Sequence, residues 1–204
     1  KAAECKEIKE SAEKDLAEAL PALAAAVKCL ENLSKADISE VGKYSSPPAL
    51  VKLVIEGICI MRDIAPVKVG EAGKKVDDYW TPGKKMLGDP KALLDAMFGF
   101  DKDNIPEKTI KKIQPIIDDP DFDPKKIESV SKACTAMCQW VRAMHKYHFV
   151  AKGVEPKRIL LAASSAELAE VTARLTEWQA KLKEVVERLD TLEKNFDAAV
   201  AKKA

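Results

Sequence analysis

Apolar residues form their most regular pattern near the C-terminal end of the chain. Leu168, Val171, Leu175, Trp178, Leu182, Val185, Leu189, Leu192 and Phe196 recur at alternating steps of three and four, and the positions between them are mostly Glu, Lys, Arg, Gln, Thr and Ala. This is a heptad seam, too narrow to seat a helix on a globular core and suited to one partner helix along its length. A second stripe opens the chain: Cys5, Ile8, Ala12, Leu16, Leu20, Leu23, Val27, Leu30 and Leu33, on a helix expected from about Ala2 to Ser34. Its three successive steps of four from Ile8 to Leu20 read as a stutter. Pro21 lies inside it and predicts a kink, with a tolerated surface kink as the plain reading. Each stripe offers the other a partner. Because the chain joins them through a centre of about 110 residues, pairing within one molecule must be antiparallel. Pairing of about 35 to 45 residues would give a rod of roughly 50 to 70 Å. Neither Lys1 nor Ala204 carries a capping signal, so a piece of a longer hairpin is expected. A parallel homodimer through the tail is the alternative, and it would leave the first stripe exposed.

Glycine and proline divide the chain further. All eight glycines lie between Gly42 and Gly153, and nine of the eleven prolines lie between Pro47 and Pro124. Since both residues interrupt helices, the centre is expected to be compact and rich in turns. Ser46 is positioned to cap a helix from Pro48 to about Asp63 whose apolar residues follow helical spacing, with Lys52 and Glu56 on another face. Val67, Val69, Val76 and Tyr79 alternate around Gly70 and Gly73, which predicts a two-stranded flap over about 66–81. Short helices are expected at about Pro82–Leu87, Pro90–Phe98, Glu107–Ile117 and Pro124–Val130, and a last central helix at about Ser131–Lys152. Val154-Glu155-Pro156 then restarts the chain, so Pro47 and Pro156 mark the junctions. The expected division is 1–45 (first coiled-coil helix), 46–153 (helical domain) and 154–204 (second coiled-coil helix). The fold class is all-α: an antiparallel coiled-coil hairpin capped by a small helical bundle.

Composition narrows the function classes. A third of the 204 residues are charged and 5% are aromatic, and the longest apolar runs, such as Leu53 to Met61, fall far short of a membrane span. Five cysteines without the spacing of a disulfide framework fit a reducing, intracellular setting. The net charge of +1 hides an uneven distribution: residues 41–154 carry 19 basic and 15 acidic side chains, against 6 and 9 in residues 1–40. No acidic residue occurs between Glu128 and Glu155, while Lys132, Arg142, Lys146 and Lys152 do. That basic helix, with Lys52 on the first central helix and Lys108, Lys111 and Lys112 on a middle one, suits an acidic partner surface. For any single lysine, a solvated surface charge is an equal reading.

Catalytic and cofactor motifs are missing. Gly83-Lys84-Lys85 has Asp78 where a P-loop needs its first glycine, and no Ser or Thr follows the lysine. Cys134 and Cys138 share one helix face and His145 and His148 another position about 15 Å along, too far apart to ligate one ion. Buried thiols and packing histidines are the better reading. Asp101-Lys102-Asp103 and Asp118-Asp119-Pro120-Asp121 lack the glycine and glutamate of calcium loops and are read as turns and caps. No cofactor, metal or catalytic residue is expected.

An ordered set of short motifs carries a family resemblance. Leu20-Pro21-Ala22-Leu23, Pro47-Pro48-Ala49 followed by Val51-Lys52-Leu53 and Glu56-Gly57-Ile58-Cys59, Phe122-Asp123-Pro124, Trp140-Val141-Arg142-Ala143-Met144 and Val154-Glu155-Pro156 together resemble the stalk and microtubule-binding domain of dynein heavy chains over essentially the whole chain. Asp78-Tyr79-Trp80 and Lys84-Lys85-Met86-Leu87-Gly88-Asp89 are more similar to axonemal, inner-arm heavy chains than to the cytoplasmic form. The resemblance implies a non-catalytic piece that binds microtubules between α- and β-tubulin, in a ciliary or flagellar axoneme. The ATPase ring and the rest of the heavy chain would lie outside it. It implies microtubule contacts at Lys52, the lysine of the Pro-Pro-Ala motif, at Lys111 and Lys112, and at Lys152, alongside Arg142 and Lys146 of the basic last helix. Gly153 stands where many relatives have a second basic residue. It also implies that sliding of the two arms by about one turn links ring state to affinity; from the residues themselves, Pro21 and the stutter near Ala12 to Leu20 are expected to keep the alternative registers close in energy, with Pro47 and Pro156 at the hinges. The rival readings are a coiled-coil arm that binds nucleic acid, for which Trp80, Trp140 and Tyr147 are too few stacking platforms, and a purely structural dimerising rod.

Overall fold

A computed structural model describes residues 2–71 and 74–201; Lys1, Gly73 and Ala204, used in the sequence reading, lie outside the described residues. The elements in order are α1 (Ala2–Glu31), α2 (Lys35–Gly42), α3 (Ala49–Met61), β1 (Val67–Val69), β2 (Val76–Asp78), α4 (Trp80–Leu87), α5 (Pro90–Phe98), α6 (Glu107–Ile117), α7 (Pro124–Ile127) and α8 (Lys132–Ala201). The fold is mostly helical, and the expected flap is present as an antiparallel pair in the register Val67↔Asp78, Lys68↔Asp77, Val69↔Val76. Gly70 turns it at φ 116°, and a Cβ there would stand 2.6 Å from the Lys74 carbonyl oxygen, so the turn requires glycine.

Two compact units emerge: one is Glu13–Val154, the other takes in the chain up to Ala12 and from Glu155 onward. Within the first, α1 and α8 lie antiparallel, since Lys132 Nζ donates to the Asn32 carbonyl at 3.3 Å while Ala22 and Lys146 line one cavity farther along. Within the second, Lys157 Nζ donates to Ser11 Oγ at 2.8 Å.

Three expectations need correction. Leu20 is 47% exposed and Ala19 is buried in its place, so Cys5, Ala12, Ala19, Ala26 and Leu33 form a buried seven-residue repeat, with Leu23 and Leu30 between its later members. The stutter disappears because small alanines rather than the larger Leu20 and Val27 face inward, which is how two helices approach closely. Pro21 sits exposed on the opposite side of an uninterrupted α1. The second correction concerns Pro156: α8 passes through it and does not restart. One missing donor is tolerated inside a helix whose neighbours are mostly good helix formers. The third concerns pairing. From Val171 to Phe196 the tail seam is exposed, with Trp178 at 65% and Phe196 at 69%.

The core of Glu13–Val154 is organised around α3. Its sequence is apolar on nearly every side, and Val51, Val54, Ile55, Ile58 and Cys59 are fully buried. No side chain of Ser46 caps it; the expected cap falls to the backbone of Pro48. Gly57 admits Phe122 to within 3.5 Å of where its Cβ would be, and Gly83 on α4 sits so tightly on α3 that a Cβ would lie 2.1 Å from Ile55 Cγ2. From α8 come Cys134, Met137, Cys138, Trp140 and Val141, and the Trp140 ring meets Phe100 edge-on at 5.1 Å. Burial pushes the Cys134 thiol up to about 11 and those of Cys59 and Cys138 to about 12, so all three are protonated packing groups at neutral pH. Helix α2 was not expected; Ser34 and Asp37 start it with a reciprocal capping box, Asp37 N–H to Ser34 Oγ at 3.1 Å and Ser34 N–H to Asp37 Oδ2 at 2.8 Å.

Helix α6 docks antiparallel on α8. Glu107 meets Lys152, Gln114 Oε1 meets His145 Nε2 at 2.9 Å, and Arg142 Nη1 donates to the carbonyls of Ile117 at 3.4 Å and Phe122 at 2.8 Å. Burial, and then the neighbouring His148, hold the pKa of His145 below its ordinary value; Asp118 opposes and Arg142 reinforces the shift. Burial, then Lys152, lower that of His148 against Glu107.

Two outcomes are expected. Gly83→Ala should lower stability by about 1 to 3 kcal/mol through overpacking against Ile55, whereas Gly153→Ala, with nothing within 4 Å of its Cβ, should raise it by about 0.5 to 1 kcal/mol; thermal unfolding of the two variants gives the comparison. Because both histidines are lowered in the folded state, the unfolded chain binds more protons, so their contribution is complete above about pH 6.5 and is lost as pH falls through the lowered values. The urea midpoint should drop between pH 7.5 and 5.5, and His145→Gln with His148→Gln should remove most of that drop.

Candidate functional site

The basic residues singled out in the sequence separate into groups once the helices are placed. Lys52 lies exposed near the start of α3, close enough to Asp78 at the end of β2 to help lower its pKa. The stronger hold on Asp78 is the Thr81 hydroxyl, with the Trp80 and Thr81 amides, so this carboxylate caps α4 and fixes the flap's exit. Glu56, half-buried one turn after Lys52, has its carboxyl raised by burial and then by Asp77.

At the other end of α3 the chain closes in a Schellman motif. Asp63 takes the left-handed conformation at φ 53°, its amide donates to the Ile60 carbonyl at 3.1 Å and that of Ile64 to the Cys59 carbonyl at 2.8 Å. The turn presents the Asp63 carboxylate to Lys108 Nζ at 2.8 Å; that hydrogen bond, with Lys108 and Lys112 nearby, holds the carboxyl below the usual range. On the next face of α6, Lys152 Nζ donates to Glu107 Oε1 at 2.6 Å, and Lys111 adds its charge to the same carboxylate. All of these pairs are exposed.

The structure therefore brings Lys111 and Lys152 together across one groove, with Lys112 and Lys108 on the adjoining side of α6. Arg142 and Lys146 lie elsewhere, beside a cavity of about 410 Å³ walled by Ala22, Ala25, Ala26 and Cys29 of α1. Arg142 is fastened to the carbonyl of Ile117 at the end of α6 and to that of Phe122 in the α6–α7 connection. Pro47 is buried ahead of α3, and Pro156 is exposed within α8. Sequence reasoning missed Asp63 and Glu107, the acids that partner the basic residues. Their signal was weak: a carboxylate just past an apolar helix and another at the first turn after Pro106. It also missed Phe149, 50% exposed beside the groove. The Asp101–Asp103 cluster does serve as a turn, with Asn104 and the Asp103 amide bonded to Asp101 and Tyr147 OH donating to Asp103 at 2.6 Å. Among the described residues no three or more His, Cys, Asp or Glu side chains are grouped to hold a metal ion, and no helix is long and apolar enough to cross a membrane.

Comparison with known proteins adds to this picture. Residues 2–204 match the family described as the microtubule-binding stalk of dynein motor. The chain is 56% identical over 178 residues to dynein axonemal heavy chain 1 of Rattus norvegicus, covering 85% of this chain and 4% of that one. It is 52% identical over 205 residues to dynein axonemal heavy chain 1 of Homo sapiens, covering the whole of this chain and 5% of the relative. The chain thus spans about one-twentieth of the length of these relatives. A solved structure, the microtubule-binding domain of dynein-c, superposes with a TM-score of 0.62 at 51% identity, over 72% of this chain and 95% of that one. A mostly helical fold with a two-stranded flap, basic residues gathered on α3, α6 and α8, and these likenesses lead to one conclusion: the chain belongs to the dynein microtubule-binding stalk family, with axonemal heavy chains among its relatives.

Proposed function

We propose that this chain is the microtubule-binding stalk of an axonemal dynein and that it grips the acidic microtubule surface through Lys52, Lys111, Lys112 and Lys152. The observation that carries the assignment of residues is the convergence of Lys111 and Lys152 on one groove whose acid, Glu107, is exposed. Solvent-exposed ion pairs contribute about 0 to 1 kcal/mol, so Lys152 can exchange Glu107 for a carboxylate of the partner at little cost. Lys108 stands in the same relation to Asp63. Lys146 belongs to the flank of this surface, and Arg142 positions the α6–α7 connection beneath it. The regions 1–45 and 154–204 act as the arms of the stalk and 46–153 as the binding domain, with Pro21, Pro47 and Pro156 at points where the arms adapt. ATP-driven movement in the axoneme of a cilium or flagellum is the work of the whole motor, to which this region contributes the non-catalytic track-binding part.

The buried repeat on α1 supports a register mechanism, because alternating alanine and leucine layers make a frame displaced by one turn, roughly 5.4 Å, distinguishable in packing from the starting one. In cosedimentation with microtubules, Lys52→Glu, Lys111→Glu and Lys152→Glu should each weaken binding about tenfold or more at low salt and flatten its salt dependence, while none should bind RNA or DNA in a shift assay. Unchanged binding by all three would overturn the residue assignment. Cysteine pairs that lock α1 against α8 in two frames one turn apart should differ in microtubule affinity by roughly 5- to 150-fold; equal affinities would rule the register mechanism out.

A further inference from the structure

Phe149 is half in water, yet it does not stand alone on the surface. Its ring is edge-on to His145 at 4.9 Å and to His148 at 5.4 Å, so three aromatic side chains of α8 form one cluster. Beside it lies a groove of about 400 Å³ between α6 and α8. Buried Ile110 floors the groove, His148 and Phe149 form one wall, and Lys111, Lys152 and Glu107 stand at its rim. An apolar centre with an aromatic side chain, ringed by charges that stay wet, is the arrangement that concentrates binding energy in protein interfaces. The rim also fixes the sign of the partner. Two lysines against one glutamate favour an acidic surface, and the groove is continuous with the basic face of α6.

We propose that Phe149 is an apolar anchor for the microtubule: the α6–α8 groove receives a bulky apolar side chain from an acidic segment of the microtubule surface, and Lys111 and Lys152 engage the carboxylates around it. This rests on the microtubule-binding reading above and deepens it. The lysines supply long-range attraction that salt weakens, while the groove supplies contact that salt leaves intact. Burial of the histidines, which disfavours their charged forms, keeps the wall of the groove apolar at neutral pH.

The test uses the 204-residue chain with Phe149→Ala, Phe149→Leu and Lys152→Gln, measuring microtubule affinity across a salt series together with thermal unfolding. Phe149→Ala should weaken binding about tenfold at every salt concentration, with the slope against salt unchanged and the melting temperature within a degree or two of the parent. Phe149→Leu should recover most of the loss. Lys152→Gln should weaken binding chiefly at low salt and flatten the slope. If Phe149→Ala binds as the parent does while Lys152→Gln is weakened, the anchor is overturned and the basic face stands. If neither is weakened, both readings fail. If Phe149→Ala loses affinity only at low salt, its effect is electrostatic and the anchor is overturned. If it abolishes concentration-dependent self-association and leaves microtubule binding intact, the groove belongs to a second copy of the chain and the anchor is likewise overturned.

Discussion

A helix that is apolar on nearly every side can be stable only where it is surrounded, and α3 imposes that constraint on everything around it. Its burial calls for α6 on one side and α4 on another, with the first turns of α8 supplying more of the same core. The glycines at 57 and 83 mark where neighbours come too close for a side chain. Lys52 and Glu56 are the only charged residues within α3, and both lie toward the flap end. The charged face of the molecule is thus a by-product of packing: once α3 is enclosed, the polar edges of α6 and α8 have one direction left in which to point.

Those edges are not simply basic. Asp63 and Glu107 each hold a lysine in an exposed pair, and pairs of that kind cost little to exchange. The same feature that limits their value as struts makes them suitable as partners to be traded for a carboxylate on another protein. Arg142 differs in kind. Its guanidinium donates to the backbone carbonyls of Ile117 and Phe122, the second shared with the Cys138 thiol, and so braces the end of α6 against α8.

Most of the architecture was legible in the chain because its signals are local. Asp89-Pro90 and Pro106-Glu107 announced α5 and α6 to the residue, and the valines around Gly70 announced the flap. The lysines of α6 and α8 were legible as a basic set, since a run of 26 residues without an acid is a property of composition alone. What failed to show was what depends on partners far along the chain. Ala19 and Leu20 are adjacent, and hydrophobicity favours Leu20, so the choice of Ala19 appears only when the facing helix limits the space. Pro156 reads as a break until the helices around it are known to continue. The Ser34–Asp37 box was there to be read and passed unnoticed beneath a longer periodic stripe. The meeting of Lys152 with Glu107, 45 residues apart, depends on the antiparallel docking of α6 on α8 and has no local signature.

The alternation of small and large layers on α1 has a mechanical corollary. Alanines at 12, 19 and 26 give way to leucines at 16, 23 and 30, so the contact face is toothed, with a pitch of one heptad, roughly 10.5 Å. A displacement of half a tooth sets a leucine where the opposing helix had closed in over an alanine, whereas a uniform leucine strip would offer every half-step on equal terms. Such a surface behaves less like a lubricated slide than like a detent, holding two distinguishable positions with a bump between them.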